Sequence, residues 1–457
     1  MTVCRHPSSF RDPSGFLFYS NNCLYRQVDI SFKSNYDLFI KSGLYDALTG
    51  KGTLIPHRTV SDNFTGDASW YLTLQPETLS FISYSYEWCF DMLKDAALLT
   101  LDIAETSMQY GMVLKDASAY NVQWHNGTLR FIDTLSFEKW NPDEPWIAYR
   151  QFCEHFVAPL ALMHFLKTPL QGLQLAYPDG IPVHMASSLL PLKSRFHLHT
   201  FLHIHLHGKY AHKEKSLAKK NVSFSAVKMK NLFQSLRTAV TAYKLSNKSG
   251  VWSGYYDEAT QRENYVSLKS EIITNWLSGK TFETALDAGA NEGTFSLLLA
   301  RHNIKTISAD FDHYSVNRLY QFIKQEGIAQ ICPLVLDLSN PAPSIGFDNQ
   351  ERFSFTERVQ VDLVLALAVI HHLCIGKNIS FAQIATFFKK LGKSLIIEFV
   401  PASDSKVQFM LQQKNISFEW YNEENFIKEF SNHYQVMERT PIKGSERVLY
   451  LLQTNEA

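Results

Sequence analysis

The chain has no excess of charge in either sense. Its 457 residues hold 44 Lys and Arg against 44 Asp and Glu, a formal net charge of zero. That balance removes any general attraction to polyanions or to acidic substrates. Cysteine is sparse: Cys4, Cys23, Cys89, Cys153, Cys332 and Cys374 are scattered, with no CxxC pair. Such spacing excludes a disulfide framework and reads as reduced, mostly buried thiols of a cytoplasmic protein. Long apolar runs are absent as well. The stretch LVLALAVI at 363–370 is among the longest, far short of the roughly 20 residues that cross a bilayer. The opening MTVCRHPSSF has neither the apolar core nor the cleavage pattern of a secretory signal, so no membrane association is expected. There is no internal repeat and no long low-complexity tract.

What remains is a globular composition, 45% apolar, on a chain too long for one core, which implies two domains or three. Composition shifts between Lys213 and Lys248, where nine Lys or Arg face a single acid, Glu214. Met229, Leu232, Phe233, Leu236, Val240 and Tyr243 recur there at helical spacing, predicting a basic amphipathic helix. It reads as a solvated linker rather than a nucleic-acid contact. The loop-like SNKSG at 246–250 follows, placing the boundary near 246 and the domains at 1–245 and 246–457.

Behind that boundary, helix and strand alternate. A helix carrying Val266, Ile273 and Leu277 leads to the strand ETALDAG. Then come a helix (294–302), a strand (305–310), a helix (315–325), strands at 331–337 and from Val361, a helix (381–391) and a strand (393–400). The tail RVLYLLQ predicts a strand suited to a sheet edge. Strands separated by helices of this length imply an α/β fold, a doubly wound parallel sheet of Rossmann-like type covered on both faces. Its ligand belongs at the carboxyl ends of the strands, where strand order reverses.

The turn LDAGANEG at 286–293 lacks the G-x-G-x-x-G triplet that presents a helix N-terminus to a dinucleotide pyrophosphate. Its glycines suit close backbone approach to a ligand. Its acids, Asp287 and Glu292, would repel a pyrophosphate and suit a ligand with positive charge, such as the sulfonium and ammonium of S-adenosylmethionine (SAM). Asp310 ends the second strand, where an acid can accept ribose hydroxyls, and Asp337 ends the third, where it could meet an adenine amino group. Each alone is also a common turn or cap residue.

On LDAGANEG, ISADFD, LVLDLSNP, LALAVIHHL and SLIIEFVP, the chain from about 250 onward resembles a class I SAM-dependent methyltransferase. The resemblance implies that Asp287, Gly289, Ala290, Asn291 and Gly293 line the methionine part of SAM, Asp310 the ribose and Asp337 the adenine. The whole chain is also similar to a bacterial methyltransferase family linked by name to nodulation. After the fourth strand there is no Asn- or Asp-Pro-Pro-aromatic run and no Pro-Cys, which disfavours methylation of base or glutamine amides and of cytosine carbon. His371 and His372 sit near that strand's end, at the expected mouth of the site. Either one takes a proton from a hydroxyl or amine acceptor, or both pack and orient a loop while transfer proceeds by positioning alone.

In the front half, Asp116, Asn121 and Asp133 of MVLKDASAYNVQWHNGTLRFIDTLSFE keep the spacing with which kinases and small-molecule phosphotransferases hold magnesium and a substrate hydroxyl. The front half thereby resembles an α+β kinase-like fold, with Mg-ATP as the implied ligand. It departs from that pattern: Leu114-Lys115 replace His-Arg, Thr134-Leu135 replace Phe-Gly, and residues 1–111 hold neither a glycine-rich loop of the kinase type nor a V-A-I-K strand. The alternatives are a degenerate binding domain, an active phosphotransferase or an unrelated fold. Finally, His197, His199, His203, His205, His207 and His212 cluster. In a strand, His203, His205 and His207 would share one face suited to a metal. No cysteine or carboxylate completes such a site, so an amphipathic strand or helix with histidines on its polar face is expected, and no bound metal. The overall expectation is a methyltransferase with an unidentified acceptor. The rivals are a phosphotransferase whose SAM-binding domain regulates it, and a non-catalytic binding protein.

Overall fold

The computed structural model describes residues 3–210, 224–245, 262–414 and 416–455. The chain divides into two units. Unit 1 is Met1–Ser246 together with Ser344–Phe353, and unit 2 is Asn247–Pro343 together with Ser354–Ala457. A short stretch of the rear sequence is therefore part of the front unit. The SNKSG loop lies outside the described residues except for its neighbours up to 245.

Unit 1 opens with a five-stranded antiparallel sheet in the order β1-β2-β3-β5-β4, formed by β1 (Val3–Arg5), β2 (Gly15–Ser20), β3 (Cys23–Asp29), β4 (His57–Val60) and β5 (Trp70–Pro76). The β2–β3 hairpin turns on Asn21 and Asn22, both left-handed at φ 50 and 62, the conformation a two-residue hairpin demands and asparagine tolerates. Helices Lys33–Lys41 and Leu44–Gly50 connect β3 to β4. Val28, Phe32, Tyr36, Leu74 and Leu135 pack together beneath the sheet. A long helix, Phe90–Gln109, then leads into β6 (Met112–Leu114), which pairs with β9 (Phe137–Lys139), and into the hairpin of β7 (Val122–His125) and β8 (Thr128–Phe131).

The basic helix forms at Ala226–Ala242, but it is not a solvated linker. Met229, Phe233, Leu236 and Val240 are buried, and the helix packs against Phe90–Gln109. An apolar stripe of that width belongs against a core. Arg237 donates to Asp102 at 2.7 Å and Glu105 at 3.1 Å, and Lys94 Nζ donates to the carbonyls of Thr241 and Tyr243 at the helix end. The histidine cluster is likewise helical rather than extended, over Leu198–Tyr210 with a π-helical stretch Phe201–Leu206. His203 sits between Tyr149 Oη (2.9 Å) and Ser235 Oγ (2.8 Å), and His205 between Ser187 Oγ (2.8 Å) and Ser194 Oγ (2.8 Å). Hydroxyls occupy both nitrogens of each buried ring, and no cluster of metal-ligating side chains occurs among the described residues. His212 lies outside them.

Unit 2 is a sheet of, among the described residues, seven strands: β10 (Thr284–Ala288), β11 (Lys305–Asp310), β12 (Ile331–Val335), β13 (Val361–Ala366), β14 (Gly392–Phe399), β15 (Tyr434–Pro441) and β16 (Val448–Thr454). Their order is β12-β11-β10-β13-β14-β16-β15. β10 to β14 run parallel, while β16 is antiparallel to both neighbours. The tail strand is thus interior, not an edge. Val448 through Leu452 are all buried, and so continuous an apolar run needs cover on both faces. The edge is β15, whose Gln435, Glu438 and Arg439 are exposed. Helices Arg262–Leu277 and Thr294–Arg301 supply Ile273, Leu277, Phe295, Leu298 and Leu299 to the core over β10, β13 and β14. Strand order reverses between β10 and β13.

Candidate functional site

The turn after β10 holds three left-handed residues within five: Gly289 (φ +85), Asn291 (φ +50) and Gly293 (φ +83). At the glycines the reason is packing inside the protein. A Cβ on Gly289 would lie 2.5 Å from Val369 Cγ2, and one on Gly293 2.5 Å from Leu319 Cδ1. The amides of Gly289 and Ala290 both donate to the Ala309 carbonyl, at 2.8 and 3.0 Å. Asn291 N donates to Asp310 Oδ2 at 2.8 Å. The Asn291 side-chain oxygen is buried without a hydrogen-bond partner.

Asp310 closes β11 with its second oxygen accepting from Asp312 N at 2.8 Å. Burial pushes its carboxyl above the ordinary value, and the amides it accepts from oppose that rise. Each carboxylate oxygen accepts more than one bond, so both can still receive a hydroxyl. Asp287 lies beneath the turn. It is 2% exposed, accepts from Ser296 Oγ at 2.6 Å and is pushed up to about 6 by burial. Glu292 is ion-paired with Arg318 Nε at 2.8 Å, so of the turn's two acids only Asp287 has no cation bonded to it. Asp337 is exposed and holds a local turn, accepting from Ser339 N (2.8 Å) and Ser339 Oγ (2.6 Å), with Lys377 Nζ at 3.6 Å.

Beyond β13 the backbone is left-handed at Ala368 (φ 54), an uncommon state for a residue with a Cβ. The turn sets Val369 against Gly289. His371 and His372 follow, with ring centroids 4.1 Å apart. His371 is not at a mouth: it is 0% exposed and neither ring nitrogen has a hydrogen-bond partner. His372 is partly exposed. Burial first, then Lys406 and Arg447, lowers His372 to about 4, and burial with the neighbouring His372 holds His371 well below the ordinary imidazole value. Both rings are neutral at neutral pH.

Sequence reasoning missed the polar knot at the carboxyl end of β14. Glu398 is 0% exposed. It accepts from Lys269 Nζ at 2.8 Å, from Arg447 Nη1 at 3.3 Å and from Tyr265 Oη. Burial would raise its carboxyl, but Lys269 and Arg447 outweigh burial and hold it below the usual range. Arg447 also reaches Asp404 at 2.8 Å. The available signal was one acid inside the apolar strand SLIIEFV.

In unit 1, the three residues chosen on spacing do come together. Asp116 accepts from Ser118 N and Gln151 Nε2, each at 2.9 Å. Asp133 accepts from Ser136 Oγ and Leu135 N, and Asn121 Nδ2 lies 3.4 Å from the same Ser136 Oγ. Burial, then the nearby Asp133, raises Asp116. Asp133 is lowered despite burial because the Arg26 guanidinium is ion-paired with it. Arg26 comes from β3 and was not identified in the sequence, where YRQVD shows only an arginine in an alternating strand. Lys115 is turned to the loop before β2, donating to Ser14 Oγ at 2.9 Å. Within the same unit, the stretch 344–353 covers Tyr120: the Arg352 guanidinium sits 3.8 Å over its ring. Arg11 pairs with Glu351 at 2.6 Å, and Phe353 N donates to Tyr84 Oη at 3.1 Å.

No family model matches the chain. The nodulation protein NoeA of Rhizobium meliloti (strain 1021) is 31% identical over 464 residues, covering 99% of this chain and 96% of that protein. Among solved structures, the bifunctional kinase-methyltransferase WbdD is 15% identical over 44% of this chain and 42% of its own, with a TM-score of 0.31. The chain thus spans under half of that protein. A SAM-dependent methyltransferase from Aquifex aeolicus is 15% identical over 44% of this chain and 96% of its own, with a TM-score of 0.32. The N-methyltransferase NodS from Bradyrhizobium japonicum WM9 is 16% identical over 44% of this chain and 99% of its own, with a TM-score of 0.32.

Replacing Glu398 by alanine would leave Lys269 and Arg447, 4% and 8% exposed, as buried cations that have lost a shared anion. The expected cost is about 3–5 kcal/mol, read as a lowered denaturation midpoint of unit 2. A midpoint equal to that of the parent would show that the knot carries no stability.

Proposed function

The chain belongs to the family of the nodulation protein NoeA, and we propose that its unit 2 transfers a methyl group from SAM to a hydroxyl or amine acceptor. The observation that carries this reading is the buried, unpartnered Asn291 Oδ1 in a turn lashed to the Asp310 carboxylate. The pair suits a ligand with a donor-rich cation at one end and a diol further on. Dinucleotide binding fits less well. The turn has no glycine triplet, and an antiparallel strand stands within a sheet that in the dinucleotide fold has the order 3-2-1-4-5-6.

In this reading Asp310 holds the ribose hydroxyls, Asn291 Oδ1 accepts from the ammonium, and Gly289, Ala290 and Gly293 shape the backbone around the methionine part. Asp287 supports the turn through Ser296, and Asp337 stands ready for the adenine amino group. When bound, SAM supplies an electrophilic methyl group on a sulfonium. His372, the more accessible of the pair and neutral, takes the proton that the acceptor's hydroxyl or amine gives up. His371 packs against it and sets its ring.

A second reading concerns unit 1 and rests on Arg26. A cation on β3 paired with Asp133, in a sheet ordered β1-β2-β3-β5-β4 with helices between β3 and β4, suits a kinase-like fold. In this reading Arg26 takes the place of the phosphate-facing cation that the missing V-A-I-K strand would supply. With Arg26 already neutralising Asp133, divalent metal alone should bind weakly, and Mg-ATP should bind without robust phosphoryl transfer.

The Asp310→Ala change in the full chain is expected to weaken SAM binding by about 1.5–3 kcal/mol, the worth of hydrogen bonds to a charged group. Calorimetry giving unchanged affinity, or NADH bound as tightly as SAM, would refute the cofactor assignment. The pH dependence of methylation tests the base. A neutral imidazole lowered to about 4 keeps its basic form above that pH, so the rate should hold through pH 6.5 and fall only toward pH 4. His372→Ala should lower the maximal rate with SAM affinity intact; full activity in that variant leaves positioning as the mechanism. For unit 1, thermal melting should shift upward with Mg-ATP in the parent and not in Asp133→Asn. Absence of a shift in both would make the constellation structural.

A further inference from the structure

The region of unit 1 around Leu189–Tyr210 exposes more apolar surface than a free face warrants. Leu192 is 73% exposed, Phe196 89% and Leu198 63%, and Leu189, Phe201, Leu202 and Leu206 are exposed as well. Side chains of this size scattered singly need no explanation, but a run of them in one short stretch marks a contact surface. The stretch is also held in place. Ser194, fully buried in the middle of the turn Leu192–Phe196, donates to the Pro191 carbonyl at 2.7 Å and lies 2.8 Å from His205 Nε2. His205 Nδ1 in turn meets Ser187 Oγ at 2.8 Å. The turn is pinned from beneath, and what it presents outward is Leu192, Lys193, Arg195 and Phe196.

Charge decides what covers it. From Gly180 to Tyr210 the sequence holds three Lys or Arg, Lys193, Arg195 and Lys209, and no acid, although the chain as a whole is neutral. Lys193, Arg195 and Lys209 are exposed among the apolar side chains. A second copy of the chain would bring the same cations against themselves in a two-fold contact. A nucleic acid would satisfy the cations but would leave Leu192 and Leu198 uncovered, because single strands are held on aromatic platforms and not on aliphatic side chains. An anionic bilayer surface takes both: Leu, Phe and their neighbours enter the boundary of the acyl chains while Lys and Arg remain with the headgroups.

We propose that the pinned turn Leu192–Phe196, with the helical stretch that follows it, docks unit 1 onto an anionic lipid surface. This differs from the sequence-based expectation of no membrane contact, which rested on the shortness of the apolar runs. Among the described residues no helix is long and apolar enough to cross a membrane, and docking at an interface requires none. The site is independent of the methyl-transfer reading.

The test is co-sedimentation of the full chain with vesicles of phosphatidylcholine alone and of phosphatidylcholine with phosphatidylglycerol. The chain should pellet with the anionic vesicles, do so less at raised salt, and remain in solution with the neutral ones. Leu192→Ser with Phe196→Ser, and separately Lys193→Glu with Arg195→Glu, should each reduce partitioning by roughly tenfold or more, with unchanged circular dichroism. All four side chains are exposed, so the charge-reversal pair keeps the test open if the apolar pair perturbs folding. Failure to pellet with anionic vesicles, pelleting of both variants as complete as that of the parent, or a dimer in light scattering that the Leu192→Ser, Phe196→Ser chain loses would overturn the proposal. So would tighter retention on single-stranded RNA than on the vesicles.

Discussion

The carbonyl of Ala309 and the carboxylate of Asp310 hold the turn after β10 in shape. Between them they receive the amides of Gly289, Ala290 and Asn291, so the end of β11 fixes the backbone that follows β10. A turn with three left-handed residues has no hydrogen-bonded ladder of its own, and unsatisfied amides there would be costly. The neighbouring strand supplies the acceptors instead. Once the turn is set, the rest follows: Gly289 leaves room for Val369, Gly293 leaves room for Leu319, and Ser296 drops onto Asp287. The loop beyond β13 meets this turn where Val369 packs against Gly289.

Much of this was legible from residues alone, and what escaped did so for physical reasons. The parallel strands announce themselves because strands covered on both faces are written as continuous apolar runs. The helix 381–391 forms with the bounds expected, and a capping box of Ser380 and Gln383 fixes its first turn. The tail strand was misplaced because an apolar run tells burial but not neighbours; only the charged β15 decides which of the two is the edge. The helix Ala226–Ala242 showed its stripe in the sequence, but its lysines suggested solvent, and the partners that claim it, Asp102 and Glu105, lie far away along the chain.

The sites divide along the same line. Asp116, Asn121 and Asp133 are near in sequence and meet through short loops, so spacing could find them. Arg26 lies over a hundred residues earlier in chain order, and no local pattern marks it. His371 shows the limit of motif position, since a residue beside a strand end can face inward as readily as toward a ligand. Glu398 shows a different limit. A single acid in an apolar strand signals a buried partner but not which cations will come, and here they arrive from a helix before β10 and from the turn before β16.

The assignment of residues 344–353 to unit 1 bears on how the protein is made. A chain emerging in order from the ribosome cannot finish its front unit when residue 246 appears. Tyr120 waits for Arg352, and Arg11 for Glu351, until three strands of the rear sheet have already been synthesised. Completion of the first unit is thereby entangled with synthesis of the second, and a cut at the apparent boundary would leave the rear half holding a piece of the front unit.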